Sequence, residues 1–423
     1  MNDGDLCARH YATGQPVRVI WQNGRINSVL TTNRPVPSDL WLAPALVDLQ
    51  VNGFGGVDFQ QDNLPLEKLV TATRHLRAAA CGRYLLTLIT AQWPRLMARL
   101  RHLCELRQRS PELRHAIAGW HIEGPFLSAA PGFCGAHDPA LMIDPTPEHI
   151  RDLRQVAGDD LILLTLDPDR TNALPAIEQA AALGMKVSLG HTNASAEILA
   201  EAVKRGATGF THLGNGCPRE LDRHDNILWR VFEARDLRVS LIPDTTHVSP
   251  ALFRLAHREL ERRAPARPVE TSLDRAEQEL GAPITVQDLA PGSTSNVEDT
   301  RERGVDSIYY ISDAMSAAGM KPGRYPLGPL ELEVGDDQIV RLPGKSNFAG
   351  SALRPIDGVL RAARMLDCSW REAWRRFSEI PAKWMGLPCE LATGNSADFC
   401  LLTVTTRNEL KNLRVFVNGE SGE

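Results

Sequence analysis

Eight short runs rich in apolar and β-branched residues recur along the chain, and segments between them carry apolar residues at steps of three and four. The runs are ALVDLQV (45–51), RYLLTLIT (83–90), IAGWHIEG (117–124), LILLTLDP (161–168), KVSLGH (186–191), TGFTHL (208–213), RVSLIPD (238–244) and SIYYISD (307–313). Stretches such as PLEKLVTATRHLRAAA (65–80) and SAEILAEAVKRGA (195–207) read as amphipathic helices between strands. Eight strand–helix units in succession predict an α/β fold, a (β/α)8 TIM-like barrel. A doubly wound open sheet alternates in the same way, so the pattern leaves both open. The polar residues separate them: Gln50, Glu123, His191, His212, Asp244 and Asp313 all fall at or just past the C-terminal end of their run. In a barrel those ends converge on one mouth, and scattered polar residues become one site.

The barrel accounts for residues 44–387. Residues 1–43 and 388–423 stand outside it. There PVRVIWQNGRINSVL (16–30) and FCLLTVTTRNELKNLRVFVNGE (399–420) alternate like half-exposed antiparallel strands, with turns at Asn23-Gly24 and Asn418-Gly419. They predict a small β-sandwich domain built from both chain termini. The polar, Pro- and Gly-containing tract 264–305 falls between the seventh and eighth strands and reads as an insertion. Trp370, Trp374 and Trp384 are expected on amphipathic helices packed against the barrel rather than as a sugar-stacking platform.

Composition narrows the function. The net charge is −5 with Lys and Arg dispersed, which argues against a nucleic-acid face and for a small-molecule partner. The N-terminus has no signal-like apolar core and no window is long enough to span a membrane, so a cytoplasmic location is expected. Eight cysteines lie scattered without CxxC pairs, as reduced thiols do, so any metal must be sought among His, Asp and Glu.

A lone histidine at a strand end is more often a hydrogen-bonded structural residue than a ligand. His191 and His212 close consecutive strands, however, with Glu123 two strands earlier. Two imidazole nitrogens and a carboxylate suit zinc or iron(II) with coordination positions left open. Asp313 closes the eighth strand and is the candidate proton carrier, a carboxylate beside water made acidic by the ion. The same residue could instead cap a helix opened by DAMSAAG, or do both.

Eight motifs then carry a resemblance: APALVDLQVNGFGG, HIEGPFL, GAHDP, SLGHTNAS, THLGNGCP, IPDTTHV, ISDAMSAAG and FAGSALRPIDGV, in this order. From about residue 16 onward, interrupted by 264–305, the chain resembles the N-acetylglucosamine-6-phosphate deacetylase family of the metal-dependent amidohydrolase superfamily. The resemblance implies Glu123, His191 and His212 as metal ligands, Asp313 as general base and acid, and His137 as the group that polarises the acetamide carbonyl. It implies Asn215, Gly216 and Arg223 as holders of the sugar phosphate. His247 would reach the phosphate of a neighbouring subunit, hence a homodimer. Where many superfamily members have HxH at the first strand and two metals, this chain has Gln50-Val51-Asn52, poor ligands for a transition metal, so one divalent ion per chain is expected, zinc or else iron(II). The expected reaction is hydrolysis of N-acetylglucosamine 6-phosphate to glucosamine 6-phosphate and acetate. Two alternatives stay open: an amidohydrolase acting on another acylated amine or a cyclic amide, and a non-catalytic sugar-phosphate-binding protein.

Overall fold

The computed structural model describes residues 2–234, 236–261, 306–343 and 350–422. The tract read as an insertion, 264–305, lies outside the described residues. Eight strands form one sheet in sequence order, every neighbouring pair parallel: β1 (Leu46–Val51), β2 (Cys81–Ile89), β3 (Ile117–Glu123), β4 (Leu161–Leu166), β5 (Lys186–Leu189), β6 (Ala207–Phe210), β7 (Arg238–Leu241) and β8 (Ile308–Tyr310). The ring closes at its C-terminal end. There Val51 bridges Ala314, the Asn52 amide donates to the Ala314 carbonyl at 2.7 Å, and the Ser312 amide donates to the Asp48 carboxylate at 3.2 Å. Burial pushes the Asp48 carboxyl up to about 7.

Alternate residues of a strand face opposite sides, and the barrel interior is layered accordingly. Its lower layer is apolar: Val47, Leu49, Leu85, Leu163 and Tyr309 meet Ile380, Trp384 and Met385 of the helix Glu379–Met385, which plugs the base. Above the plug lies a layer of hydroxyls. His121 sits 2.8 Å from the Thr165 hydroxyl and 3.3 Å from that of Thr87, and Thr211 joins Thr165 at 2.8 Å and Ser188 at 2.7 Å. Burial lowers His121 to about 4 and keeps it neutral.

The plug requires glycine at 209. A Cβ there would lie 2.5 Å from the Trp384 ring. Gly209→Val should therefore cost about 1–3 kcal/mol by overpacking, read as a lower urea midpoint at unchanged slope; an unchanged midpoint would mean that the Trp384 ring shifts freely. Trp370 and Trp374 are likewise buried, on Trp370–Arg376.

The chain ends build a separate seven-stranded sheet, in the order 420–421, 410–417, 399–404, 40–44, 4–10, 16–22, 25–31. Four strand spacings separate 16–22 from 410–417, roughly 19 Å in a flat sheet. Yet the Trp21 ring centroid lies 5.7 Å from Phe416 and 5.3 Å from Phe399. The sheet curls over and packs on itself, so a sandwich-like core arises from one continuous sheet.

One feature differs from expectation. Residues after Asp313 do not open a helix: they run through turns into a three-stranded antiparallel sheet, Gly323–Leu327, Leu330–Val334 and Val340–Arg341. The first helix beyond Asp313 among the described residues is Pro355–Leu366, so Asp313 caps none. Small residues in DAMSAAG suit tight turns as well as they suit a helical first turn.

Candidate active site

Glu123, the last residue of β3, is the centre of the site. Its Oε1 lies 2.7 Å from His212 Nε2 and 3.5 Å from His191 Nε2, while its Oε2 accepts from Gln50 Nε2 at 3.0 Å. All four residues are buried. Burial alone would raise the Glu123 carboxyl, yet hydrogen bonding to His191 and His212 holds it well below the usual carboxylate range.

Both histidines stand just past the ends of short strands, where the backbone turns sharply. His191, His212 and Asp313 all have left-handed φ values, 51°, 32° and 50°. Such conformations are uncommon for side chains of this size and collect at functional sites. The His191 ring is closely enclosed: a Cβ at Gly216 (φ +63°) would lie 3.0 Å from its Nδ1, and one at Gly135 (φ +59°) 2.9 Å from its Cε1. Its Nδ1–H donates to the Phe133 carbonyl at 2.7 Å, which turns its Nε2 towards Glu123.

Two imidazole nitrogens crowded onto one buried carboxylate form a donor set that a cation would take up. Nitrogen atoms of His191 and His212 and a carboxylate oxygen of Glu123 lie within 4.8 Å of one another. The donor set thus fits a divalent ion, with the Phe133 carbonyl fixing the His191 tautomer as outer partners of metal-bound histidines do.

Asp313 completes the arrangement. Its Oδ1 accepts from Asn52 Nδ2 at 2.7 Å and from Gln50 Nε2 at 3.0 Å. Burial, then the neighbouring Glu123 charge, push its carboxyl up to about 6. His137 comes from the loop after β3; its Nδ1 is 2.8 Å from the Thr90 hydroxyl and its Nε2 4.0 Å from Glu123 Oε2. Burial lowers this imidazole to about 3, so it is neutral. The His247 Nδ1 is held 2.6 Å from the Asp244 carboxylate, whose charge outweighs the effect of burial and keeps the ring above its ordinary value.

These groups line one cavity that is partly continuous with solvent. Glu123, His137, His191, His212, Asn215, Gly216, His247 and Asp313 all face it, joined by Asn52. Arg223 does not: it is exposed, in the loop that follows β6. The contacts from Gln50 and Asn52 to Asp313 escaped sequence reading, which placed Gln50 at the mouth and otherwise registered the pair as poor ligands. Their place at the positions where other superfamily members carry HxH was the available signal.

A parallel eight-stranded barrel with a Glu–His–His cluster and an aspartate beyond β8 at its C-terminal mouth defines a metal-dependent hydrolase of the amidohydrolase type. Along most of its length the chain is similar to N-acetylglucosamine-6-phosphate deacetylases. The enzyme of that name from Mycobacterium smegmatis, solved in complex with N-acetyl-D-glucosamine-6-phosphate, matches with a TM-score of 0.79 and 26% identity over 99% of both chains. The human N-acetylglucosamine-6-phosphate deacetylase is 28% identical over 373 residues, covering 85% of this chain and 79% of its own. An N-acetylgalactosamine-6-phosphate deacetylase from a Shewanella strain is 26% identical over 388 residues, covering 90% of this chain and 82% of its own. No family model matches the chain.

Proposed function

We propose that this chain hydrolyses the N-acetyl group of N-acetylglucosamine 6-phosphate, or of a close amino-sugar phosphate, giving the free amine and acetate. The observation that carries the reading is the convergence of Glu123, His191, His212, His137 and Asp313 on one buried cavity. One divalent ion, zinc or else iron(II), would be held by Glu123, His191 and His212 and would supply Lewis acidity towards water and the amide carbonyl. The residues do the rest. Asp313, with its carboxyl raised to about 6, is matched to taking a proton from water near neutral pH and returning it to the leaving nitrogen. In the tautomer whose Nδ1 accepts from the Thr90 hydroxyl, neutral His137 would carry its proton on Nε2 and donate there to the oxygen that becomes negative as the carbonyl is attacked.

Asn215 and Gly216, lining the cavity, would hold the sugar phosphate, together with His247, whose raised imidazole favours an anion. Because His247 lines its own chain's cavity and Arg223 stands exposed outside it, the reading reverses the expected roles: Arg223, rather than His247, would serve a phosphate in the site of a second copy, and the homodimer stays part of it. Arg223→Ala should raise KM for the phosphorylated sugar at least about tenfold, the loss of one charged hydrogen bond of about 1.5 kcal/mol, and leave the unphosphorylated sugar unaffected. Equal effects on both sugars would detach Arg223 from the phosphate. All eight cysteines are unpaired, and among the described residues no helix is long and apolar enough to cross a membrane; both fit a cytoplasmic enzyme.

The test is metal content by elemental analysis alongside amine release from N-acetylglucosamine 6-phosphate, its galacto epimer and the unphosphorylated sugar. About one ion per chain and turnover of a phosphorylated sugar alone is the expected result. Bound metal without turnover of any would return the substrate to another acylated amine or to mere binding.

A further inference from the structure

We propose that Gln50 and Asn52 form an amide clamp that decides which oxygen of Asp313 works. The inference rests on the deacetylase reading for its chemistry but on geometry for its existence. Gln50 Nε2 donates at 3.0 Å both to Asp313 Oδ1 and to Glu123 Oε2, and Asn52 Nδ2 donates to the same Oδ1 at 2.7 Å. Carboxylates only accept, so both amides must present nitrogen to them, and their orientation is fixed. Two donors occupy Oδ1. Oδ2 receives none among the described residues and is the oxygen left to take the proton from water and to hand it to the leaving nitrogen.

The clamp also ties two carboxylates together. Asp313 lies beyond β8 and Glu123 ends β3, on different strands of the ring. Like charges in a dry site repel, and a shared N–H donor between them offsets that repulsion while setting their distance. Gln50 is the only residue donating to both among the described residues. These are therefore positioning residues, and the pair at β1 is more than a vacancy where other barrels carry HxH.

One further atom supports the assignment. Asn52 is 3% exposed and lines the cavity, and its Oδ1 is buried without a hydrogen-bond partner. A clamp that must point its nitrogen at Asp313 leaves its oxygen stranded unless the contents of the cavity supply a donor. The structure tolerates that orphan acceptor because the opposite amide orientation would set oxygen against oxygen at Asp313.

The clamp is tested with Gln50→Glu and Asn52→Ala, which remove the donors. Expected are a fall in kcat of about 100-fold each, KM and affinity for the amine product within about threefold of wild type, and unchanged metal content. A crystal structure of metal-loaded Asn52→Ala should show the Asp313 carboxylate rotated or disordered with Glu123, His191 and His212 unmoved. Near-native kcat, a loss carried by KM or by missing metal, or an Asp313 carboxylate that stays in place would overturn the clamp. The crystallographic arm decides even if wild-type protein turns over no acetylated amino-sugar phosphate, an outcome that would sink the functional reading separately.

Discussion

Asp313→Asn should retain fold and metal while turnover falls by about 10²–10⁴-fold, the share that a positioned acid–base group contributes. The substitution is nearly isosteric, and Asp313 is not among the three residues that converge on the ion site. It removes only the capacity to carry a proton. The amide can even be accommodated, with its carbonyl oxygen accepting from Asn52 and Gln50 as Oδ1 does now. KM should change little, because proton transfer contributes to the transition state rather than to ground-state binding. Steady-state kinetics on metal-replete protein, with metal measured on the same sample, is the check. A near-native kcat would remove Asp313 from the proton relay, and loss of metal would recast it as a ligand.

The barrel was legible because each strand is a bounded apolar run and each following helix has a clear three- and four-residue period. Registering residues such as Glu123, His191 and His212 at strand ends was then enough to bring them together, since a barrel leaves those ends nowhere else to go. The first and fourth strands of the terminal sheet, 4–10 and 40–44, were not read as strands. Both carry interrupted alternation, and 40–44 also depends on a partner far away in sequence: it pairs with 399–404 across the whole barrel. The antiparallel sheet at 323–341 was missed for a related reason. Its exposed face is polar and its buried residues, Leu327, Leu332, Val334 and Val340, are too few to stand out from loop composition.

At the site, residue types were legible and contacts were not. Histidine and carboxylate at neighbouring strand ends point to a metal through donor chemistry alone. That Gln50 reaches two carboxylates at once, or that Phe133 sets the His191 tautomer, depends on distances no spacing reports. The left-handed backbone of His191, His212 and Asp313 is equally silent in sequence, because nothing local demands it; tertiary packing imposes it where the strands end.

The counterpart of Asp313→Asn is Glu123→Gln, in which metal and turnover should disappear together. Glutamine keeps the length of the side chain and can still meet Gln50, so packing at the end of β3 survives. What it lacks is charge: a neutral amide oxygen is a far poorer donor to a divalent cation than a carboxylate. Loss of an outer partner of a metal ligand already costs about 10–100-fold in affinity, so loss of the one anionic ligand should exceed about 100-fold. The same variant separates two roles of the ion. In the wild-type protein, metal at about a thousand times its Kd should add about 4 kcal/mol of stability, seen as a melting temperature that rises when metal is restored after chelation. In Glu123→Gln a loss of more than about 100-fold would leave less than about 1.4 kcal/mol of that stabilisation over the same concentrations. A variant that still binds metal tightly would move the ion to the other histidines of the cavity, His137 among them. One that loses turnover but keeps the metal-dependent melting would make Glu123 a catalytic group rather than the ligand its position between His191 and His212 assigns.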